Sequence, residues 1–81
     1  MAYKKPQISN EIVRHLGVIS TTPGGFKKEL NLISWNGGEP KYDIRDWSED
    51  HTRSSKGVTL SLAELEALKE VIDIELASIK E

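Results

Sequence analysis

Residues 41–72 read KYDIRDWSEDHTRSSKGVTLSLAELEALKEVI, and three kinds of pattern follow one another in this stretch. From Lys41 to Trp47 the residues alternate, with Tyr42 and Ile44 on one face and Lys41, Asp43, Arg45 and Trp47 on the other, as a half-buried strand requires. Residues 48–57, SEDHTRSSKG, are polar without periodicity and predict a mobile loop. Val58-Thr59-Leu60 is a short strand, and Ser61-x-x-Glu64 directly after it is a capping box. There the serine oxygen accepts from an early helical N–H while the glutamate reaches back to the serine N–H. The helix that follows is expected to run to about residue 79.

At the α-helical period this segment carries two apolar stripes. Leu62, Leu65, Leu68, Ile72, Leu76 and Ile79 fall within an arc of about 120°, the width of a stripe that packs on a core. Ala63, Ala67, Val71 and Ile74 form a second, shallower stripe, bounded by Glu66, Lys69, Asp73 and Lys80 on one side and by Glu64 and Glu75 on the other. One stripe can pack on the chain's own sheet. The other needs a partner, and its small residues allow close approach of a second helix, so a second copy of the chain is expected there, through Ala67, Val71 and Ile74. The alternative is a monomer that leaves Val71 and Ile74 partly exposed.

On the N-terminal side, Asn36-Gly37-Gly38 offers residues tolerant of positive φ, as a tight hairpin needs. Phe26 to Trp35 is a strand with Leu30 and Leu32 facing one way and Ile33 and Trp35 the other. Thr21-Thr22-Pro23-Gly24-Gly25 is a turn, and Ile12 to Ser20 a further strand in which Gly17 marks a bulge. Residues 1–10, MAYKKPQISN, read as a flexible arm. The expected fold is α+β: a four-stranded antiparallel sheet followed by one helix, ββββα, forming a single domain over 11–81.

Eighty-one residues make one small domain with a thin stability margin, and with no cysteine there is no disulfide to widen it. Absence of cysteine suits a reducing compartment, no apolar run approaches the ~20 residues of a membrane span, and no secretory h-region is present. A soluble, cytoplasmic, nucleoid-associated protein with no membrane partner is expected. The formal net charge of −2 conceals a division. Residues 1–60 hold nine Lys and Arg against seven acids, a net of +2, while residues 61–81 hold two against six, a net of −4. Because phosphate responds to potential within a Debye length of ~8–10 Å, the sheet can present a basic face although the chain is acidic.

Catalysis finds little support. His15 lies in a strand pattern and His51 in a loop, neither with a serine or carboxylate at triad spacing, and both read as surface residues. Glu49-Asp50-His51 reads as solvated loop chemistry and not as a metal site, and the glycine pairs at 24–25 and 37–38 are turns, lacking P-loop or dinucleotide spacing. No cofactor, metal, small-molecule substrate or enzymatic activity is expected. The informative feature is the sheet. Trp35 and Trp47, with Phe26 at the start of the second strand, lie close in sequence to Lys28, Lys41, Arg45, Arg53 and Lys56. Aromatic rings can stack on unpaired bases and cations can neutralise phosphates, so this set is a candidate single-strand-binding surface. From spacing alone, Trp35 and Trp47 could equally belong to a minor core.

The run YDIRDW at 42–47, followed after a polar loop by SKGVTLSLAELEALKEVI at 55–72, resembles the transcriptional coactivator family named for positive cofactor four. That family combines an apolar-Asp-Ile-Arg strand with a nearby Trp, a loop, Arg-Lys-Gly-Ile-Ser-Leu and a helix with an LKE-type middle. The resemblance covers about residues 14–75, and the chain is especially similar to a short bacterial branch, the YdbC-like proteins. It implies a ββββα protomer with a curved sheet, which dimerises through its helix and binds single-stranded DNA with little sequence preference. It further implies a stacking role for Trp35, a matching tryptophan in Trp47, and backbone-contacting bases in Arg45, Lys56 and Lys28. Ser55 departs from the arginine frequent before this lysine, with Arg53 as the nearby substitute, and the serine- and acid-rich arm of eukaryotic members is absent. The function expected is non-catalytic binding of single-stranded DNA, with RNA as the other candidate strand, in transcription, replication or repair. The rival is a protein-interaction module that binds a polymerase or regulator.

Overall fold

A computed structural model describes residues 10–80. Four strands pair in sequence order, all antiparallel: β1 (Asn10–Thr21), β2 (Lys27–Trp35), β3 (Lys41–Trp47) and β4 (Val58–Leu60). The helix α1 (Leu62–Ile79) follows. The ββββα order and antiparallel sheet are those expected from the sequence. β1 extends beyond Ile12–Ser20 at both ends, taking in Asn10; the rest of the proposed arm lies outside the described residues.

The turns form as their residues dictate. Asn36 and Gly37 adopt φ of 53° and 73°, and the Gly38 N–H donates to the Trp35 carbonyl at 2.9 Å, closing the β2–β3 hairpin. At the β1–β2 turn Gly25 takes φ of 90°, while the Thr22 hydroxyl accepts from the Phe26 N–H at 3.1 Å. β1 departs from regular pairing between Ile12 and Arg14, between His15 and Gly17, and between Val18 and Ser20. The middle irregularity falls at the expected Gly17. Such extra residues bend a strand and increase its twist.

Alternation sorts the sheet into two faces. Glu29, Asn31 and Ile33 of β2 and Asp43 and Trp47 of β3 are all buried, and the register Glu29↔Arg45, Asn31↔Asp43 places them on one face together with Arg45 and Trp35. The opposite face carries Leu30, Ile44 and Leu60, against which Leu65 and Leu68 of α1 settle. This distribution corrects the simple expectation of a core between helix and sheet. The fully enclosed side chains lie on the polar face, because the β3–β4 segment folds back over it, whereas α1 comes closest to β3 and β4 and contributes no buried residue.

The capping box is present: Ser61 Oγ accepts from the Glu64 N–H at 3.1 Å, and Glu64 Oε1 accepts from the Ser61 N–H at 2.8 Å. The Ser61 backbone N–H first, then the Ser61 hydroxyl, hold the Glu64 carboxyl below its ordinary range. Past the first turns α1 packs loosely on the sheet, with Ile72 lining an open apolar pocket that Ile19 and Leu30 also line. Ile72, Leu76 and Ile79, expected in the core stripe, are 44%, 42% and 63% exposed, and Val71 and Ile74 of the second stripe are 63% and 72% exposed. The protomer measures 66 × 32 × 18 Å, with a radius of gyration of 15.8 Å against about 12 Å for a compact chain of this length. No helix among the described residues is long and apolar enough to cross a membrane.

Candidate nucleic-acid interface

Trp35 ends β2, and its half-buried ring is backed by a cation. The guanidinium carbon of Arg45, on β3, lies 4.6 Å from the ring centroid. Arg45 is itself fixed, since Nε donates to Asp43 Oδ1 and Nη2 to Asp43 Oδ2, both at 2.7 Å, the paired geometry that makes arginine–carboxylate contacts strong. Asp43 is fully buried and also accepts from the Thr59 hydroxyl of β4 at 3.2 Å. Gly57, just before β4, presses on this unit. A Cβ there would collide with the Ile44 carbonyl and stand 2.5 Å from Arg45 Cβ, so only glycine lets β4 approach. The chain Thr59–Asp43–Arg45–Trp35 therefore holds one aromatic face at a set angle.

A second network lies further along the same face. Glu29 is only 2% exposed, yet three side chains converge on it. Asn31 Nδ2 donates to Oε1 at 3.1 Å, and His51 Nε2 stands 3.1 Å from both carboxylate oxygens. His15 Nδ1 lies 3.5 Å from Oε1 and 2.7 Å from Asn31 Oδ1. Burial pushes the Glu29 carboxyl up, but the bonds from Asn31 and His51, with the charges of His51 and His15, outweigh it and leave the carboxyl below its ordinary range. The sequence does not show either histidine meeting Glu29. The fold brings β1, β2 and the β3–β4 segment together at Glu29.

The segment expected to be a mobile loop is instead tied down. Ser48 N–H donates to the Arg53 carbonyl and Ser55 N–H to the Asp46 carbonyl, both at 3.0 Å, and Ser54 pairs with Trp47. Asp50 accepts from the Thr52 side chain and backbone and from the Ser48 hydroxyl, which together bring its carboxyl down to about 2. His51 adopts φ of 60°, uncommon for a residue with a side chain, and places its ring 5.5 Å from that of Trp47.

The candidate residues separate into three groups. Trp35 and Arg45 form a unit on one face, with Lys41 on the same face by alternation and exposed. Arg53 and Lys56 are exposed on the β3–β4 segment, and Phe26 lines a shallow depression with Ser48, Thr52 and Arg53. Lys28 and Trp47 lie apart from these. Lys28 belongs to the opposite face by alternation and pairs with Asp46 at 3.1 Å. Trp47 is 2% exposed beneath His51, and Arg45, whose side chain is 15% exposed, directs its charge into Asp43. Of the two readings that spacing left open for Trp47, its burial fits the minor core, while the pairings of Lys28 with Asp46 and of Arg45 with Asp43 are visible only in the fold. Asp43 and Gly57 brace the Trp35–Arg45 unit, yet sequence reasoning did not single them out. A glycine between Lys56 and a β-branched strand residue is the one local signal among them. Ala67 and Val71 line an apolar groove with Ile44, Val58, Leu60 and Leu68, while Ile74 lies further along the exposed helix.

A family model described as Transcriptional Coactivator p15 (PC4) matches residues 23–71, which runs from the β1–β2 turn into the second half of α1. An uncharacterized protein of Treponema pallidum (strain Nichols) is 48% identical over 63 residues, covering 78% of this chain and 74% of that protein. The matched span contains the Trp35–Arg45–Asp43 unit, the β3–β4 segment and the helix cap together, and on this agreement of sequence and fold the chain belongs to the transcriptional coactivator p15 (PC4) family.

Proposed function

We propose that this protein is a non-catalytic, single-stranded DNA-binding protein with little sequence preference, acting in a coactivator-like role on strands opened during transcription or repair. The observation that carries this reading is the Trp35 ring, braced by Arg45 and placed on the same sheet face as exposed Lys41. Arg45 backs the ring, and the other side of the indole offers an unpaired base a partner for the neighbours it lost on melting. Lys41, Arg53 and Lys56 supply phosphate contacts. Membership of the coactivator family supports the DNA partner.

The binding form in this reading is a homodimer. An elongated protomer, a helix with no buried residue and the apolar groove at Ala67 and Val71 all support association through α1. Titration of oligo-dT, oligo-U and duplex DNA, followed by tryptophan fluorescence across a salt series, tests the proposal. Oligo-dT is expected to bind and quench with a steep salt dependence, and duplex to bind much more weakly because its bases are already stacked. Equal affinity for duplex and single strand would reduce the interaction to charge attraction, and a salt-independent interaction would exclude phosphate contacts.

A further inference from the structure

Two observations set the β3–β4 segment apart. Its residue His51 lies in the left-handed region, uncommon for a residue with a side chain, its N–H closes a turn onto the Ser48 carbonyl, and its ring meets a carboxylate that is itself buried. The same segment carries Arg53 and Lys56 two and five residues later. An ionised carboxylate has no proton to give, so the His51 ring donates. The neutral imidazole donates an ordinary hydrogen bond and the protonated one a charge-assisted bond of roughly twice the strength.

We infer that His51 and Glu29 are positioning residues of the nucleic-acid interface: their contact docks the β3–β4 segment, with Arg53 and Lys56, onto the sheet, and protonation of His51 tightens it. This rests on the single-strand-binding function proposed above. Glu29 is faced by His15 from β1, by Asn31 and Lys27 of its own strand, by Arg45 opposite it on β3 and by His51 from the segment. Arg45 is bound to Asp43, and Asp50, beside His51, is bound to Thr52 and Ser48. His15 belongs to β1, so its charge adds to the field at Glu29 without holding the segment.

The sign follows from the two groups together. Glu29, with its carboxyl held low, stays ionised through the range of about pH 5 to 8 in which imidazoles in general change charge. A charge-assisted bond to this ionised carboxylate needs a protonated imidazole, the form that acid favours. Docking the two cations in advance removes part of the ordering cost of binding, so affinity for single strands is greater at the acid end.

The full chain, labelled with 15N and free of nucleic acid, is examined by backbone heteronuclear NOE at Arg53 and Lys56 at about pH 5.5 and about pH 8, where imidazoles are mostly charged and mostly neutral. Tryptophan emission is followed over the same range, since a protonated imidazole against an indole quenches it. Oligo-dT affinity is then measured at both pH values and constant ionic strength. Expected are a segment more rigid at the acid end, emission falling with the same titration, and roughly threefold to tenfold tighter binding, the size of one strengthened hydrogen bond. Glu29→Gln and His51→Gln are expected to flatten both profiles, and His15→Gln to leave the segment's pH dependence in place. Equal rigidity of the segment at both pH values in the unaltered protein overturns the proposal, whether or not either variant folds. Tighter acid binding without a change in segment order also overturns it, because His51 would then be meeting phosphate directly. A segment that stiffens in acid in a protein that binds no oligonucleotide removes the interface role and the proposed function, but retains the contact.

Discussion

Trp35 and Arg45 occupy one unit but carry different kinds of work. The indole is half-buried with Nε1 enclosed, so Trp35→Ala removes both a stacking surface and part of the packing. The expected loss is about 1–3 kcal/mol of oligo-dT binding with a nearly unchanged salt slope, because a ring releases no counterions. Thermal melts run alongside decide whether the loss belongs to the site. A melting point that falls in step with affinity would make Trp35 a core residue. Arg45 behaves otherwise, since Arg45→Ala leaves the fully buried Asp43 carboxylate without its counter-charge. Breaking a buried pair from one side costs about 3–5 kcal/mol, a large share of a small domain's stability. Denaturant unfolding is expected to show that loss directly. Arg45→Lys recovers only part of it, because an ammonium cannot make both 2.7 Å contacts from a planar fork. The family resemblance implies a backbone-contacting role for Arg45, and the structure adds its pairing with Asp43. Its alternation with Asp43 was legible, but their bonding was not, since a charge two residues along a strand can as easily point to water.

Elements were more legible than their closures. The hairpin at Asn36-Gly37, the bulge at Gly17 and the cap at Ser61 each depend on chemistry within a few residues, so local pattern was sufficient to locate them. The β3–β4 segment depends on Glu29, twenty-two residues before His51, and no local pattern encodes that distance. Gly57 is where this segment returns to the sheet. Gly57→Ala sets a Cβ against the Ile44 carbonyl and 2.5 Å from Arg45 Cβ, and both obstacles belong to a paired strand that cannot easily give way. The expected cost is about 1–3 kcal/mol, the range of overpacking in an ordered site, with weakened β3–β4 pairing visible as faster amide exchange at Thr59 and Leu60. Unchanged exchange there would mean that the approach is not required. The same segment sets the electrostatic part of binding. Arg53→Ala and Lys56→Ala are each expected to lower the salt slope for oligo-dT by roughly 0.7, the value for one phosphate contact on a single strand. A change in affinity at constant slope would assign these cations to the fold instead of the ligand.

The protomer as a body is incomplete on one side. Two of its buried residues are apolar, Ile33 and Trp47, while Val71, Ile74 and Ile79 of α1 are each more than 60% exposed, an inversion of where burial normally places aliphatic side chains. The two-stripe pattern of the helix announced this arrangement in the sequence, although it assigned the first stripe wholly to the chain's own sheet. Only Leu65 and Leu68 reach half-burial there, and Val71, Ile72, Ile74, Leu76 and Ile79 beyond them stay exposed. A second copy placed along α1 would cover Val71, Ile74 and the groove formed by Ile44, Val58 and Leu60, and each aliphatic side chain fully enclosed this way contributes about 1.5–3 kcal/mol. For a domain whose own core is this small, folding and association are then expected to be linked, with a melting temperature that rises with protein concentration. Val71→Glu with Ile74→Glu is expected to abolish the dimer in sedimentation and to yield a monomer that is much less stable or unfolded. In the unaltered protein, a concentration-independent melt together with monomeric sedimentation would contradict association. A dimer that survives both glutamates would move the interface off this stripe. The exposed β1 edge, with Val13, Val18 and Ile19, would then be the next surface to test.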